Sequence, residues 1–596
     1  MIKELQYPFD ADFIMSKKKS LRHRLLESSD GLSEKKIAVL GGSTTHDIKL
    51  VLELFLLNRG IRPVFYESEY NQYYEESVFM NARLEEFAPD IIYIHTTNRN
   101  ISAYPEMNDN FEQTERMLQD EYRKFSDIWD RLSVTYGCPI IQNNFELPYY
   151  RMLGNKDASD IHGAVNFVSR LNMLFYEYAQ KHDNFFICDI NYISADYGLE
   201  KWSDPFYYYM YKYALNVSAI PFLAHNIANI ILSVFGKNKK GFVTDLDNTL
   251  WGGEAGEAGA DGIIIGSETP EGEAYVEFQK YLKRYSQLGV VLNISSKNEK
   301  RNALDALNHP DGVLKPEDFI VIKANWEPKD RNFSSIAAQL ELLPESLVFI
   351  DDNPAERHLV ESLDSGIAAP DIGEVHQYIS RIDRSGYFET TIFSGDDAKR
   401  GSMYKENEKR MLERAAFTDY GDYLKSLQMR AAVKAFEPAY LARIVQLVNK
   451  CNQFNLTARK YTLSEIERIS CDNSYVTLYA KLSDRFGDNG VVSALIGCIT
   501  DGICHIELWI MSCRVLKRDV ESAVMDMLVK SCLERGIKEL RGYYNPTKKN
   551  GMVRNYYATQ GFEKIHDDET GCTVWRYTAD KTYENRNRYI RLENSK

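Results

Sequence analysis

Gly241-Phe242-Val243-Thr244-Asp245-Leu246-Asp247-Asn248-Thr249-Leu250 is the stretch on which the reading of this chain turns. An apolar opening that ends in two carboxylates one residue apart reads as a β-strand delivering Asp245 and Asp247 to the carboxyl edge of a parallel sheet, where open α/β proteins bind ligands. Residues two apart in a strand point the same way, and a turn at Asn248-Thr249 lets both carboxylates converge from the strand tip. Two like charges held together call for a cation, and hard oxygen ligands of this kind suit Mg²⁺.

Three further polar clusters follow apolar runs downstream. Ser295-Ser296-Lys297-Asn298 closes the run 290–294 and offers hydroxyl and amide donors to a phosphate oxygen. Trp326-Glu327-Pro328-Lys329 brings an ammonium that could neutralise a transferring phosphoryl group. Val348-Phe349-Ile350-Asp351-Asp352-Asn353-Pro354 is a second acidic strand tip, able to complete a cation site with Asp245. Singly, each has a plain explanation: a strand-end Asp caps a helix, a Ser closes a turn, a loop Lys is a solvated charge. Four strand ends carrying these groups in this order point instead to phosphoryl chemistry.

At 596 residues the chain exceeds one core, and about 150 residues per domain predicts roughly three to five units. Strand-and-helix alternation from 35 to about 235, with apolar runs near 37–40, 63–66, 90–94, 139–141 and 185–190, predicts a first doubly wound domain. Lys237 to Lys240 form a basic, polar joint, after which strands at 242–245, 289–295, 319–322 and 347–350 build the second unit. A charged helical stretch from Asp396 to Leu427 leads to β-rich segments at 491–500 and 504–511, then a helix over 520–535, which read as a separate α+β domain. The boundaries are set at 1–236, 237–385, a helical linker 386–428, 429–580 and a tail 581–596.

Hydrophobic content of 44% and charged content of 27% fit an ordinary globular chain, and a net charge of −14 gives no support for nucleic-acid binding. Nine cysteines without paired spacing are expected as reduced thiols, and the polar first residues lack the apolar core of a signal peptide, so a cytoplasmic location is expected. The charge-poor stretch 213–236 carries Pro221, His225, Asn226 and Asn229, costly in lipid, so a buried helix is expected there and no membrane span.

The order Asp-x-Asp-x-Thr, Ser, Lys, Asp-Asp resembles the haloacid dehalogenase (HAD) superfamily of phosphotransferases. The fuller wording, Asp247-Asn248-Thr249-Leu250-Trp251-Gly252-Gly253, Ser296-Lys297-Asn298, Asn325-Trp326-Glu327-Pro328-Lys329 and Asp351-Asp352-Asn353-Pro354-Ala355-Glu356-Arg357, is similar to the FkbH-like proteins of HAD subfamily IIIC. That resemblance implies in-line attack by Asp245 on phosphorus, with Asp247 as general acid and base. Ser296, Lys329, Thr249 and Asn298 would bind phosphate. Asp245, Asp351 and Asp352 would hold Mg²⁺, with Asp247 contributing through its backbone carbonyl. Neither 251–289 nor 297–328 has room for an inserted cap, so the site is expected to be open, suited to a macromolecular substrate or to being covered by a neighbouring domain. The resemblance further implies removal of phosphate from a phosphorylated small molecule, a glyceryl donor such as 1,3-bisphosphoglycerate, with acyl transfer to an acyl carrier protein. The second motif in that family often carries Cys where this chain has Ser295. A simple phosphatase on a sugar or metabolite phosphate is the alternative.

Gly41-Gly42-Ser43 resembles the first block of SGNH hydrolases, but the matching late block, Trp202-Ser203-Asp204-Pro205-Phe206-Tyr207, has Tyr207 where the base His belongs. Asn452-Gln453-Phe454-Asn455-Leu456-Thr457, Asp484-Arg485-Phe486-Gly487-Asp488-Asn489-Gly490, Cys513-Arg514-Val515-Leu516 and Tyr556-Tyr557-Ala558-Thr559-Gln560-Gly561-Phe562 resemble the GNAT acetyltransferase-like domain. A third function, acyl transfer by this domain, would use a Gly-rich anion-cradling turn, and Lys517-Arg518-Asp519 stands there instead. The fold expected overall is α/β multidomain: an SGNH-like doubly wound domain, an uncapped HAD-type Rossmannoid domain and an α+β GNAT-like domain.

Overall fold

The computed structural model describes residues 2–27, 32–79, 81–364, 366–393, 395, 399–414, 416–451, 453–547 and 549–593. Asp396, where the charged helix was expected to begin, Asn452 and the final three positions lie outside them. The chain divides into two compact units, Met1–Ser233 and Val234–Lys596, and carries three sheets.

The first unit is built on five parallel strands: β1 (Ser33–Gly41), β2 (Ile61–Glu67), β3 (Ile91–His95), β4 (Ile140–Asn143) and β5 (Phe185–Cys188), in the order β2-β1-β3-β4-β5. Ala38, Leu40, Ile92 and Ile94 pack on Phe125, Trp129 and Phe175 of the helices on one face. Ile37 and Val39, on the opposite face, are equally buried, as expected of a parallel sheet covered on both sides. The stretch Val217–Val234 is long and apolar enough to cross a membrane, but 72% of it is buried inside the protein, and its helix Ile220–Val234 is a core helix.

The second unit holds two sheets. One has four parallel strands, β6 (Gly241–Thr244), β7 (Val291–Ser296), β8 (Phe319–Ala324) and β9 (Leu347–Ile350), ordered β8-β7-β6-β9. The chain leaves β6 in one direction and returns on its other side as β9, so the strand order reverses there, which is where such sheets open a ligand crevice. Residues 251–289 form a short helix, Ala255–Ala258, and the sheet-covering helix Pro270–Gln287, with no separate cap.

The other sheet has eight strands in mixed pairing: β10 (Arg430–Lys434), β11 (Tyr475–Asp484), β12 (Gly487–Thr500), β13 (Ile503–Met511), β14 (Glu539–Tyr544), β15 (Glu563–Asp567), β16 (Thr573–Thr578) and β17 (Arg591–Leu592). Two expectations change here. The segment 581–596, expected as a tail, supplies β17, which pairs in parallel with β10; Asp526 fixes the approach by accepting from Tyr583 Oη (2.6 Å) and the Arg586 amide (2.9 Å). The segment 386–428, expected as a linker, packs into both halves of the unit: Tyr404 enters the core beneath β6 and β9, and Arg410 is buried against the hairpin of β11 and β12.

Arg410 donates through Nε and Nη2 to both oxygens of Asp484 (2.8 and 2.7 Å), and the two side chains are 1% and 0% exposed. Asp484 also accepts from the Phe486 amide (2.9 Å), so one carboxylate fixes the hairpin turn and receives the helix. Removing one partner of a buried pair leaves the other charge uncompensated. Arg410→Ala is therefore expected to destabilise the second unit by about 3–5 kcal/mol, read from the urea midpoint, and Arg410→Leu with Asp484→Leu by less. A loss below about 1 kcal/mol for the single variant would contradict this account.

Candidate active site

Register explains why distant carboxylates meet. Thr244 of β6 lies beside Ile350 of β9, and the Asp245 amide donates to the Ile350 carbonyl (2.8 Å), so the next residues, Asp245 and Asp351, stand abreast. With Asp352 they bring three carboxylate oxygens within 4.8 Å of one another. Lys329, at the start of helix Lys329–Gln339, reaches between them, its Nζ 2.8 Å from Asp245 Oδ2 and 2.5 Å from Asp351 Oδ2. Burial works against the Lys329 charge, but the Asp245 and Asp351 carboxylates outweigh it and hold the ammonium above its ordinary range. Burial first, and then the charge of Asp245, push Asp351 and Asp352 upward. One ammonium among three carboxylates leaves net negative charge, and Asp245 Oδ1 is buried without a hydrogen-bond partner. Such a set of hard oxygen donors fits a small divalent cation.

Asp247 is turned away from this trio. Its Oδ1 accepts from the Trp251 indole N–H (2.9 Å) and the Ala255 amide (3.0 Å), and its Oδ2 accepts from Asn298 Nδ2 (3.2 Å). The side chain thus stands apart from the cation ligands, leaving only its backbone carbonyl for that role, and burial raises its carboxyl. The turn that follows passes through Asn248, whose left-handed conformation (φ 55°) Asn tolerates better than most residues. Tyr378 Oη donates to the Asn248 carbonyl (2.9 Å), and Asn248 Oδ1 accepts from the Gly253 amide (2.9 Å).

Two residues expected on phosphate also bond the carboxylates. Asn298 binds Asp247, and the Thr249 hydroxyl accepts from the Asp352 amide (3.3 Å) and donates to Asp352 Oδ1 (3.4 Å). Ser296, 2% exposed, ends β7 beside β6. Ser295 is fully buried, and its hydroxyl has no hydrogen-bond partner. Arg514 lies far along the chain on the eight-stranded module, its guanidinium against Ser512 (3.4 Å) and Met403 (2.7 Å). Trp251 and Arg357 sat within the quoted motifs without an assigned task; Tyr378 had no sequence signal.

At the carboxyl edge of β1, Ser43 is 4% exposed and its hydroxyl has no hydrogen-bond partner. The backbone of 211–212 closes over the turn, accepting from the Thr44 hydroxyl (2.7 Å) and amide (3.0 Å). His95, one strand away, has Nδ1 3.0 Å from Asn143 Nδ2, and since an amide nitrogen only donates, the neutral ring keeps its proton on Nε2; burial pushes the imidazole down to about 4. No base thus activates Ser43 among the described residues. In the third module, Lys517 (φ 63°) and Asp519 (φ 69°) hold the left-handed conformations that glycines would hold more easily. The turn is satisfied internally: the Lys517 amide donates to Glu521 Oε1 (2.8 Å), and Asp519 Oδ2 accepts from the Arg588 amide (2.7 Å).

The family described as FkbH, N-terminal domain, matches residues 36–232. The N-terminal part of the protein BF1531 from Bacteroides fragilis, described as containing a phosphatase domain complexed with Mg, is similar at 27% identity and a TM-score of 0.59, over 63% of this chain and 99% of that one. The PaiA N-acetyltransferase of Thermoplasma acidophilum, in complex with coenzyme A, is 14% identical over 25% of this chain and 98% of its own, with a TM-score of 0.20. The ribosomal-protein-S18-alanine N-acetyltransferase of Escherichia coli is 11% identical over 26% and 97%, also at 0.20, and neither likeness carries an argument about activity. No curated protein matches the chain.

In the first unit, burial pushes the Glu146 carboxyl up to about 8 from the ordinary 4.5. The folded unit then keeps a proton that the unfolded chain releases, so stability falls as pH rises from about 5 to 8, by at most about 1.4 kcal/mol per pH unit. Glu146→Gln is expected to flatten that slope in urea titrations across the window; an unchanged slope would contradict a protonated Glu146.

Proposed function

We propose that this chain is an Mg²⁺-dependent phosphatase or phosphotransferase of the HAD type, FkbH-like, with Asp245 as its nucleophile. The observation that carries the reading is the buried, unpartnered Oδ1 of Asp245 beside Lys329 and the two further carboxylates. Asp245, Asp351 and Asp352 would hold Mg²⁺, which when bound supplies positive charge to phosphoryl oxygens. Lys329 keeps the Asp245 carboxylate oriented through Oδ2, which leaves Oδ1 to attack phosphorus. The Lys329 ammonium then faces the charge that develops on the transferring group. Asp247, held aside by Trp251, Ala255 and Asn298, protonates the leaving oxygen and later takes a proton from water. The similarity to a Mg-complexed phosphatase domain agrees with this reading.

The finer proposal is that the donor is a phosphorylated three-carbon acyl compound and the acceptor a carrier-protein thiol in the cytoplasm. Supporting it are the lack, among the described residues 251–289, of an inserted cap, and Trp326, 72% exposed three residues before Lys329, an aromatic anchor of the kind that dominates protein interfaces. The eight-stranded module, its turn filled by Glu521, would position the carrier and leave acyl transfer to the thiol.

Asp245→Asn is expected to lower phosphate release by at least about 10³-fold, because an amide is neither nucleophile nor charged ligand. Wild-type turnover by that variant at saturating Mg²⁺ would sink the mechanism. Phosphate release from 1,3-bisphosphoglycerate only with a carrier present, with a mass gain on the carrier, is expected for the finer reading; release from many esters without a carrier would leave a simple phosphatase.

A further inference from the structure

Arg357 is the one cation besides Lys329 that touches the cation-site loop among the described residues, and it does so from behind. A single Nη1 group donates to the backbone carbonyls of Asp351 and Asp352, both at 2.8 Å, while Nη2 donates to Asp371 Oδ1 (3.2 Å). The guanidinium is 12% exposed and Asp371 63%. Asp371 is gripped in turn by Arg381 Nη1, at 2.9 Å to its carboxylate and 3.2 Å to its carbonyl. The loop passes so close that a Cβ on Gly373, which has φ 68°, would lie 2.6 Å from the Arg381 guanidinium carbon. Arg381 shares the helix Tyr378–Arg384 with Tyr378, whose hydroxyl holds the Asn248 carbonyl. One helix therefore braces both site loops: the one after β6 through Tyr378, and the one after β9 through Arg381, Asp371 and Arg357.

From this geometry we infer that Arg357 is a positioning residue for the cation site, fixing the peptide planes of Asp351 and Asp352 so that their carboxylates converge with Asp245. This rests on the Mg²⁺ reading of the site. The physical ground is that three carboxylates repel and only one ammonium stands among them, so Lys329 on Asp351 and the Thr249 hydroxyl on Asp352 offset that repulsion only in part before a cation arrives. Two carbonyls pinned at the rear by a charged donor supply further restraint, and the near-octahedral geometry that Mg²⁺ demands makes the site sensitive to it. A plain surface ion pair between Arg357 and Asp371 makes a different forecast: loss of either partner would have the same small effect, and cation affinity would not change.

The test is calorimetric titration of the full chain, stripped with a chelator, with MgCl₂ and no substrate. Arg357→Met is expected to weaken Mg²⁺ binding roughly 10- to 100-fold, as loss of groups that orient metal ligands commonly does. Arg357→Lys, whose ammonium can restore one of the two carbonyl contacts, is expected to fall between, and Asp371→Asn to stay within about threefold of wild type. At saturating Mg²⁺ the methionine variant should regain much of its phosphate release, a recovery that general destabilisation would not give. A dissociation constant for Arg357→Met within about twofold of wild type would overturn the inference, and should that variant not fold, a wild-type constant for Arg357→Lys would do the same. Absence of Mg²⁺ binding by the wild type would instead remove the metal reading itself and the inference with it, which separates the two failures.

Discussion

Three carboxylates face one ammonium at the carboxyl edge of β6, and the rest of the second unit is arranged around that imbalance. Lys329 joins Asp245 to Asp351 and brings helix Lys329–Gln339 into line with β6 and β9. Because it neutralises only part of the charge, the site keeps a demand for a cation, and Oδ1 of Asp245 is left without a hydrogen-bond partner beside it. Neighbouring groups restrain the trio: Thr249 holds Asp352, Arg357 holds the carbonyls behind Asp351 and Asp352, and Tyr378 holds the turn after Asp247.

The division of labour between Asp245 and Asp247 follows from environment. Both lie at one strand tip, yet one is left with a bare oxygen beside an ammonium while the other accepts three hydrogen bonds away from the trio. A nucleophile needs an available oxygen and a fixed angle; a proton shuttle needs an orientation toward the leaving group and a raised affinity for protons, which burial supplies at Asp247. The flanking modules are quieter. Ser43 lies under the backbone of 211–212 with no base at hydrogen-bond distance, and the turn at 517–519 spends its amide on Glu521.

Much of the fold was legible because the strands announce themselves by composition and length. The runs expected at 242–245, 319–322 and 347–350 lie within about two residues of β6, β8 and β9; β6 and β9 are buried on both faces and β8 only at its ends, yet all three read as mostly apolar segments. The edge strands of the eight-stranded sheet were not: β15 is exposed throughout and β17 spans two residues, so neither carries a hydrophobic pattern. The helical stretch 400–414 was visible, but its role in packing was not, because the partner that buries Arg410 lies 74 residues away.

The sequence by itself determined which groups stand at the strand tips: acid-x-acid after β6, Ser after β7, Lys after β8 and acid-acid after β9, since strand ends and turns are coded by neighbouring residues. What only the tertiary structure decided is what each group holds. Asn298 bonds Asp247 across 51 residues, and Thr249 bonds Asp352 across 103. A polar side chain satisfies whichever partner the register of the sheet and the packing of helices bring within about 3 Å, and that register is fixed by contacts between segments far apart in the chain.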